Sequence, residues 1–369
     1  MTQPNDRFRS MLSPRELDPR KNSLNIFRLV LALGVLIAHG CILAGRTAPS
    51  WQGEGLGAWA VAGFFIISGY LITASRMRTH MAEYLVHRIA RIFPAFLMCL
   101  VVTVVIFAPI GYYKTNGTLS GYLTTPNTPI NYLYSNMFLR MGDYSIAGTP
   151  VGIPYPGAWN GSLWSLYYEF LCYLFVGFLA VIPIVKRSPW PVAIAFAVSV
   201  LAQIKVGAVD RLFGGSFDAV MMAKLLPFFL GGALVYMLRS RIPLRAVTGI
   251  GAGVIAYFCV VLWPAWGAQL AAPLFAVSIL WLASIIPSPR LFATNDISYG
   301  VYIYTFPIQQ LLAYYGLHQN LGLYFVLTAV LVVVPATASW LYLERPIMRH
   351  VRTYDTHRVR AIARAEPAI

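Results

Sequence analysis

The stretch LNIFRLVLALGVLIAHGCIL, residues 24–43, decides the fold class of this chain. An α-helix rises about 1.5 Å per residue, so this stretch can cross a hydrocarbon core of roughly 30 Å. Its ionisable residues are Arg28 near the start and His39 near the end. The stretch therefore predicts a membrane-spanning helix with a histidine inside it, which a purely structural span would not need.

Nine further apolar segments follow, each about as long as a membrane helix must be. The chain is 58% hydrophobic and 11% charged, whereas soluble domains carry roughly 25% charged residues. We therefore predict an all-α integral membrane protein, with one membrane domain over residues 1–346 and a basic cytoplasmic tail over residues 347–369. The ten predicted transmembrane helices are residues 24–43, 57–74, 92–110, 163–184, 190–206, 220–238, 246–263, 268–286, 297–316 and 321–343.

The basic residues indicate how these helices are oriented. With ten spans, 22 of the 28 lysine and arginine residues fall on the side that also holds both termini. Loops rich in Lys and Arg face the cytoplasm, so both termini are predicted to be cytoplasmic. Because the basic residues lie in short segments between apolar runs, the net charge of +15 does not indicate a nucleic-acid-binding surface.

Residues 111–162 form the one long connection between predicted spans, and the predicted topology places it outside the cytoplasm. It is rich in Tyr, Asn, Gly, Pro and Thr, and its charged residues are Lys114, Arg140 and Asp143. Long loops within a compact domain are usually functional. Its neutral, aromatic and amide-rich composition suits a saccharide better than an ion. A covering lid without a ligand of its own is the alternative.

Three ionisable residues inside the spans are candidates for chemistry. Arg28 and His39 are eleven residues apart, which places them on one helix face about 16 Å apart along the axis. This alignment favours a long ligand lying along the helix, although a snorkelling arginine and a packed histidine are the structural alternative. Glu169 lies about two turns into the fourth span, at a predicted depth similar to that of His39. A carboxylate beside an imidazole would make a general base.

Two more motifs lie in the second and third spans. Arg88 and Arg91 share a helix face at the start of the third span, and guanidinium groups suit phosphates. Ordinary anchoring at the cytoplasmic surface would explain them equally well. Residues 63–70 bring small side chains into an apolar helix, which predicts close helix packing or close approach of a ligand. The scattered histidines and the four cysteines predict neither a metal site nor a disulfide framework.

Six segments, taken in order, resemble motifs of the membrane-bound acyltransferase-3 family. They cover residues 28 to 346 and are Arg28-x10-His39, Phe64-Phe65-Ile66-Ile67-Ser68-Gly69-Tyr70, Arg88-Ile89-Ala90-Arg91-Ile92-Phe93-Pro94, Trp164-Ser165-Leu166-Tyr167-Tyr168-Glu169, Ile297-Ser298-Tyr299-Gly300-Val301-Tyr302 and Leu343-Glu344-Arg345-Pro346. The resemblance implies about ten helices and an enzyme that takes an acyl group from cytoplasmic acyl-CoA. The expected product is an acylated, most simply acetylated, hydroxyl of a cell-surface or lipid-linked saccharide.

The resemblance also implies roles for residues of this chain. His39 would be the catalytic base and Glu169 its acidic partner. The residues expected to bind acyl-CoA are Arg28, Arg88, Arg91, Ser68 and Tyr70, and the candidates for the acceptor site are Trp164, Ser165, Asn160 and Tyr299. No metal and no bound cofactor is expected, since acyl-CoA acts as a co-substrate. Many relatives have a histidine where this chain has Thr305, so no role of that histidine is carried over.

Two readings from other classes compete with the enzyme. A buried histidine and glutamate also suit the proton relay of a coupled transporter or flippase. A receptor with a sugar-binding outer loop would need no such pair. For the enzyme, direct transfer and an acyl-histidine intermediate both remain open. The expected setting is a bacterial inner membrane, with acyl-CoA, the saccharide acceptor and lipids as partners and the oligomeric state left open.

Overall fold

The computed structural model describes residues 17–18, 22–290, 292, 295–351 and 353, and this part of the chain is predominantly helical. The helices are α1 (Leu24–Leu43), α2 (Leu56–Arg76), α3 (Met81–Val102), α4 (Ala108–Asn116), α5 (Pro129–Asn136), α6 (Trp164–Leu179), α7 (Pro183–Arg187), α8 (Trp190–Ile204), α9 (Val206–Leu212), α10 (Phe217–Met237), α11 (Ala246–Leu262), α12 (Gly267–Leu270), α13 (Ala272–Ile285), α14 (Ser298–Tyr314) and α15 (Leu321–Ser339). The predicted basic tail, residues 347–369, lies largely outside the described residues.

Short elements extend or connect these helices. The π-helical turns Thr103–Phe107 and Trp340–Glu344 continue α3 and α15, and a 3-10 turn, Leu317–Gln319, follows α14. The strands β1 (Ser50–Trp51) and β2 (Glu54–Gly55) pair antiparallel between α1 and α2.

Each of the ten predicted spans coincides with a helix of the structure. Five helical stretches are long and apolar enough to cross a membrane, and the pair α8 and α9, bent by 87°, is a sixth candidate. Helices α6, α11 and α13 are apolar but shorter. The helical class and the presence of several helices long enough to span a membrane are therefore confirmed, whereas the number of ten spans and the cytoplasmic termini stay predictions. The five long stretches are Leu24–Leu43, Leu56–Arg76, Met81–Asn116, Phe217–Met237 and Leu321–Val351.

The third predicted span differs from the structure at its start. Helix α3 begins at Met81 rather than at residue 92, so Arg88 and Arg91 lie two to three turns inside it. Residues 81–91 are amphipathic, with Glu83 in the first turn and Tyr84 buried. A negative side chain near a helix N-terminus stabilises the helix, but an amphipathic turn does not raise local hydropathy enough to be read as a span.

The backbone contacts divide the described chain into two compact units. Unit 1 contains the residues up to Val35, residues 49–78 and residues 171–296. Within it, α2 packs on α10 at very short range, because each helix presents a glycine to the other's backbone. A Cβ atom at Gly69 would collide with the carbonyl oxygen of Phe229, and one at Gly232 would collide with that of Ile66. Gly69 of the predicted 63–70 segment therefore serves helix packing.

Unit 2 contains residues 36–48, residues 79–170 and the residues from 297 onward. Its central helix is α14, which is buried along almost its whole length. Helix α15 returns along it, and the contact is close because Gly300 faces the backbone of Ala336. The hydroxyl of Tyr324 donates to the Gln309 carbonyl oxygen at 3.0 Å. The side chains on α14 consequently meet protein on nearly all sides.

The long predicted loop is folded rather than extended. Helix α4 continues to Asn116, and the connection from there to α6 contains α5. Trp159 is fully buried, stacks on Tyr314 and donates its indole N–H to Thr149 at 3.0 Å. This segment of unit 2 therefore packs against the C-terminal part of α14.

Candidate functional site

Helix α1 ends at Leu43, and His39 lies one turn before that end. The side chain of His39 is half-buried. Its ring meets the ring of Phe306 edge-on, with 5.2 Å between the centroids and 70° between the planes. Its Nδ1 atom is buried and has no hydrogen-bond partner among the described residues. The imidazole is therefore held by packing, and a buried ring nitrogen is left for other chemistry.

Gln309 holds the turn of α1 that carries His39. Its Nε2 donates to the carbonyl oxygen of Leu36 at 2.9 Å. Gly40, the residue after His39, lets this side chain approach, because a Cβ atom there would come within 2.8 Å of Gln309 Nε2. The ring of Phe325 also lies against Gly40. The position of His39 is thus set from α14 and α15.

Phe306 and Gln310 connect the same region to the long loop predicted over residues 111–162. The Phe306 ring packs in a buried cluster with Leu43 and Ala158, and lies edge-on to the ring of Tyr155. Gln310 donates from Nε2 to the carbonyl oxygens of Tyr155 and Ala158, at 2.8 and 2.7 Å. We call His39, Phe306, Gln309 and Gln310, with the loop residues Tyr155 and Ala158, the His39 cluster.

Tyr144 packs against the edge of this cluster. Burial raises the pKa of its phenol, and the neighbouring Tyr155 raises the pKa further. The Tyr144 hydroxyl therefore stays protonated at neutral pH and can donate a hydrogen bond.

Pro307 explains why Asn160 is buried next to α14. Proline has no backbone N–H, so the carbonyl oxygen of Ile303, four residues earlier, lacks its helical donor. Asn160 Nδ2 donates to that oxygen at 2.8 Å, and Cys99 Sγ lies 3.3 Å from it. Asn160 Oδ1 in turn accepts from the Ser162 hydroxyl at 2.7 Å. Asn160, a predicted acceptor-site residue, is therefore engaged in stabilising the interrupted helix.

Ser165 and Tyr302 form a second buried polar contact. Their hydroxyl oxygens lie 2.6 Å apart, and Tyr302 donates to the Ser162 carbonyl oxygen at 2.7 Å. Glu169, one turn beyond Ser165 on α6, lies near Tyr302 and Tyr299. The structure does not bring Glu169 into a hydrogen bond with His39, whose ring has no polar partner among the described residues.

The remaining acceptor-site candidates also contact protein groups. Trp164 packs edge-on against Tyr168, with 5.7 Å between the ring centroids. The Tyr299 hydroxyl donates to the Ile92 carbonyl oxygen at 2.9 Å. Thr305 is buried, and its hydroxyl donates to the Val301 carbonyl oxygen at 2.6 Å. The predicted roles of Trp164 and Tyr299 in acceptor binding stay predictions.

Arg91 is paired with a buried carboxylate in unit 2. Its Nη1 lies 2.9 Å from Oε2 of Glu344, which is 1% exposed, and the other oxygen of Glu344 accepts from Ser339. The guanidinium group also lies over the rings of Tyr299 and Trp340, at 5.8 and 5.6 Å. Arg88 lies 5.9 Å from the ring centroid of Tyr84 on the same helix.

Arg28 has a carboxylate partner in unit 1. Its Nη1 lies 3.0 Å from Oδ2 of Asp296, which is 8% exposed. This is its one ion pair among the described residues, so the other guanidinium nitrogens are not committed to a carboxylate. A single-nitrogen contact orients the guanidinium group while leaving donors for an anionic ligand.

The other predicted acyl-CoA contacts, Ser68 and Tyr70, also lie in unit 1. Ser68 is 4% exposed, and the Tyr70 ring packs edge-on against Tyr236 at 5.5 Å. Lys224 on α10 pairs with Glu54, with 2.6 Å between Nζ and Oε1. The positions of Ser68 and Tyr70 leave their predicted binding role as a prediction.

Sequence reasoning missed four residues that shape these sites: Asp296, Gln309, Gln310 and Glu344. Two of them had a visible signal, because Glu344 lies in the Leu343–Pro346 motif and Asp296 directly precedes the motif that begins at Ile297. The two glutamines are polar residues in an apolar helix, and that signal also could have been followed.

Comparison with known proteins assigns the family. Residues 21–343 match the family described as an acyltransferase domain, acyltransferase family 3. The chain is 28% identical over 339 residues to the O-acetyl transferase of Shigella phage Sf6, a match that covers 88% of this chain and 96% of that protein. It is 25% identical over 359 residues to nodulation protein 10 of Rhizobium leguminosarum bv. viciae, covering 89% of this chain and 94% of that protein. No solved structure matches the chain. Because the family match spans most of a polytopic helical chain, this protein belongs to the acyltransferase-3 family of membrane acyltransferases.

Proposed function

We propose that the protein is an O-acyltransferase that moves an acetyl group from cytoplasmic acyl-CoA to a hydroxyl of a cell-surface or lipid-linked saccharide. The family membership and the similarity to a phage O-acetyl transferase support the reaction class. We further propose that it works in a bacterial plasma membrane, without a metal or a bound cofactor.

The single observation that carries the catalytic assignment is the environment of His39. Its Nδ1 is buried without a partner, while the ring is fixed against Phe306 and its helix turn is held by Gln309. A general base must be positioned and must have a nitrogen available for the proton that it takes. Packing on Phe306 supplies the position, and the unpartnered ring nitrogen supplies the acceptor.

The proposed step is a direct acyl transfer. The acceptor hydroxyl loses its proton to His39 as its oxygen forms a bond with the thioester carbonyl carbon. The carbon–sulfur bond then breaks, and His39 returns the proton to the departing CoA sulfur. The products are an O-acyl ester and the free CoA thiol, so atoms and protons balance without any other reactant. An acyl-histidine intermediate would require the same residue and give the same products.

The arginines support a donor with several phosphates. Arg28 commits one nitrogen to Asp296 and lies on the same face of α1 as His39, about 16 Å away along the helix axis. A CoA molecule is long enough to place its phosphates and its thioester at such separated points. Arg88 and Arg91, one turn apart on α3, are proposed to contribute further positive charge.

Glu169 is proposed to act as a positioning residue rather than through direct contact with His39. It lies near Tyr299 and Tyr302, and Tyr302 is hydrogen-bonded to Ser165 and to the Ser162 backbone. Loss of the carboxylate would disturb this group of tyrosine and serine hydroxyls. The acceptor would then bind in a less well-ordered site.

The test is transfer by purified protein in detergent, with labelled acetyl-CoA and a glycolipid extract of the host cells. His39→Ala and His39→Gln are expected to lower transfer by a factor of about a hundred or more, since general acid–base catalysis contributes about 10²–10⁴. Thr305→Val is the matched control, because Thr305 is buried one residue from Phe306 and, among the described residues, its hydroxyl bonds only to the Val301 backbone.

Near-normal transfer by both folded His39 variants would exclude His39 as the base. Uptake of protons or solute into vesicles without any acyl transfer would instead favour the transporter reading. Thr305→Val should transfer within about twofold of the unsubstituted protein, because general acid–base groups alone account for the larger factors.

A further inference from the structure

The side-chain amides of Gln309 and Gln310 have orientations that their hydrogen bonds determine. Gln310 Nε2 donates to two backbone carbonyl oxygens, at Tyr155 and Ala158, and Gln309 Nε2 donates to that of Leu36. Only the nitrogen of an amide can donate, so the nitrogen and the oxygen of each side chain are unambiguous. In both residues the side-chain oxygen therefore points away from these backbone partners.

Both of these oxygens are buried and unpaired. Gln309 and Gln310 are each 0% exposed, and neither Oε1 atom has a hydrogen-bond partner among the residues that the structure describes. Buried polar atoms are nearly always paired in folded proteins, so each exception calls for an explanation. Here two exceptions occur on consecutive residues of one helix, and the equally unpaired Nδ1 of His39 belongs to the same His39 cluster.

The chemistry of an amide oxygen restricts what can pair with it. It accepts hydrogen bonds and cannot donate them, so it is complementary to hydroxyl and N–H groups and repels phosphate oxygens. Saccharides present hydroxyl donors on neighbouring carbons, and a site built to bond hydroxyls discriminates strongly against analogues that lack them. Gln310 is moreover tied to the loop segment at Tyr155 and Ala158, which packs beside His39 through Phe306.

We propose that Oε1 of Gln309 and Oε1 of Gln310 accept hydrogen bonds from hydroxyls of the acceptor saccharide and thereby place one hydroxyl at His39. This inference rests on the proposed function and assigns the acceptor side of that site to residues that no sequence motif indicated. The predicted candidate Asn160 has its amide group occupied by Ile303 and Ser162, whereas the two glutamines have an acceptor to spare.

The test compares Gln309→Met and Gln310→Met with Gln269→Met, which removes a matched buried glutamine of unit 1. Gln269 is 4% exposed and its amide also donates to a backbone carbonyl oxygen, that of Lys224. Purified proteins in detergent are assayed with labelled acetyl-CoA and a titrated glycolipid extract of the host cells. The apparent KM for the extract should rise about tenfold in the Gln309 and Gln310 variants, the size expected for one lost hydrogen bond.

The KM for acetyl-CoA, the acyl donor, separates a role in acceptor binding from a purely structural role. The KM for acetyl-CoA should stay within about twofold in all three variants, and Gln269→Met should leave both KM values unchanged. An unchanged KM for the extract in both folded glutamine variants would overturn the proposal. So would an equal rise in the KM for acetyl-CoA, which would assign the oxygens to the pantetheine amides, or an equal loss in Gln269→Met, which would indicate general damage.

If the methionine variants fold poorly, Gln309→Glu and Gln310→Glu are tested in their place. A protonated carboxyl group keeps the one donor that Gln309 uses, one of the two that Gln310 uses, and an acceptor oxygen. Compared with the unsubstituted protein at the same low pH, Gln309→Glu should therefore retain a near-normal KM for the extract, and a tenfold rise there would overturn the proposal. If the unsubstituted protein transfers nothing, or His39→Ala transfers normally, the proposed function itself fails and this inference falls with it.

Discussion

Arg91 on α3 and Glu344 at the end of the π-helical turn after α15 form an ion pair with 2.9 Å between Nη1 and Oε2. Glu344 is 1% exposed, and its second oxygen accepts from Ser339, so both oxygens of the carboxylate are satisfied. Within unit 2 this pair joins elements that are 253 residues apart in sequence. An arginine first interpreted as a phosphate ligand thus also has a structural partner.

The first prediction concerns this pair. Glu344→Gln and Arg91→Gln should each lower the unfolding free energy by about 3 kcal/mol, because breaking a buried pair leaves one charge uncompensated. The double variant should lose less than the sum of the two single losses, since no unpaired charge remains. The unfolding free energies of the unsubstituted protein, the two single variants and the double variant are measured by thermal unfolding in detergent.

Strictly additive losses in that cycle would show that the two side chains do not interact energetically. Glu54→Gln is a useful control, because Glu54 pairs with Lys224 while 36% exposed. Removal of such a partly exposed pair should cost at most about 1 kcal/mol.

The second prediction concerns Arg28 and the acyl-CoA donor. Arg28→Lys should raise the KM for acetyl-CoA about tenfold with little change in melting temperature, because lysine keeps the charge but loses the planar fork that binds phosphate. Asp296→Asn should have the smaller effect on KM, since Asp296 contacts a single guanidinium nitrogen. Steady-state kinetics with acetyl-CoA as the varied substrate checks both.

A KM for acetyl-CoA that Arg28→Lys leaves unchanged would favour anchoring at the membrane surface as the role of Arg28. Desulfo-CoA, which retains the phosphates, should compete less well against the variant than against the unsubstituted protein. This competition separates phosphate binding from effects on the thioester end.

The third prediction concerns the packing of α2 on α10 in unit 1. Gly69→Ala should destabilise the protein by about 1–3 kcal/mol or more, because the added Cβ would collide with the backbone carbonyl of Phe229, which cannot move aside as a flexible side chain would. Gly251→Ala on α11 is the matched control, since a Cβ there meets nothing within 4 Å. Its melting temperature should stay the same or rise slightly, because alanine is the better helix former.

Equal melting temperatures for Gly69→Ala and the unsubstituted protein would contradict the close approach of α2 and α10. If instead Gly69→Ala kept its stability but lost affinity for acetyl-CoA, the small residues of the 63–70 segment would serve the ligand rather than helix packing.

Local sequence patterns were sufficient to predict where the helices lie, but not which helices pack against one another. Hydropathy located helices at all ten predicted spans, and the spacing of Arg28 and His39 follows from the helical repeat. The start of α3 was missed because residues 81–91 are amphipathic, so they form a helix without a hydropathy signal. The predicted contact of Glu169 with His39 rested on depth alone, and equal depth does not specify which helices are neighbours.

The sequence by itself determined the membrane class, the positions of the helices and the unusual placement of a histidine within α1. It also determined the family, through motifs spread from residue 28 to 346. Only the tertiary structure decided that Glu344 faces Arg91, that Asp296 faces Arg28 and that Gln309 holds the turn before His39. The physical reason is that hydropathy and helical periodicity act over a few turns, whereas these contacts join residues more than 250 positions apart and depend on which helices pack together.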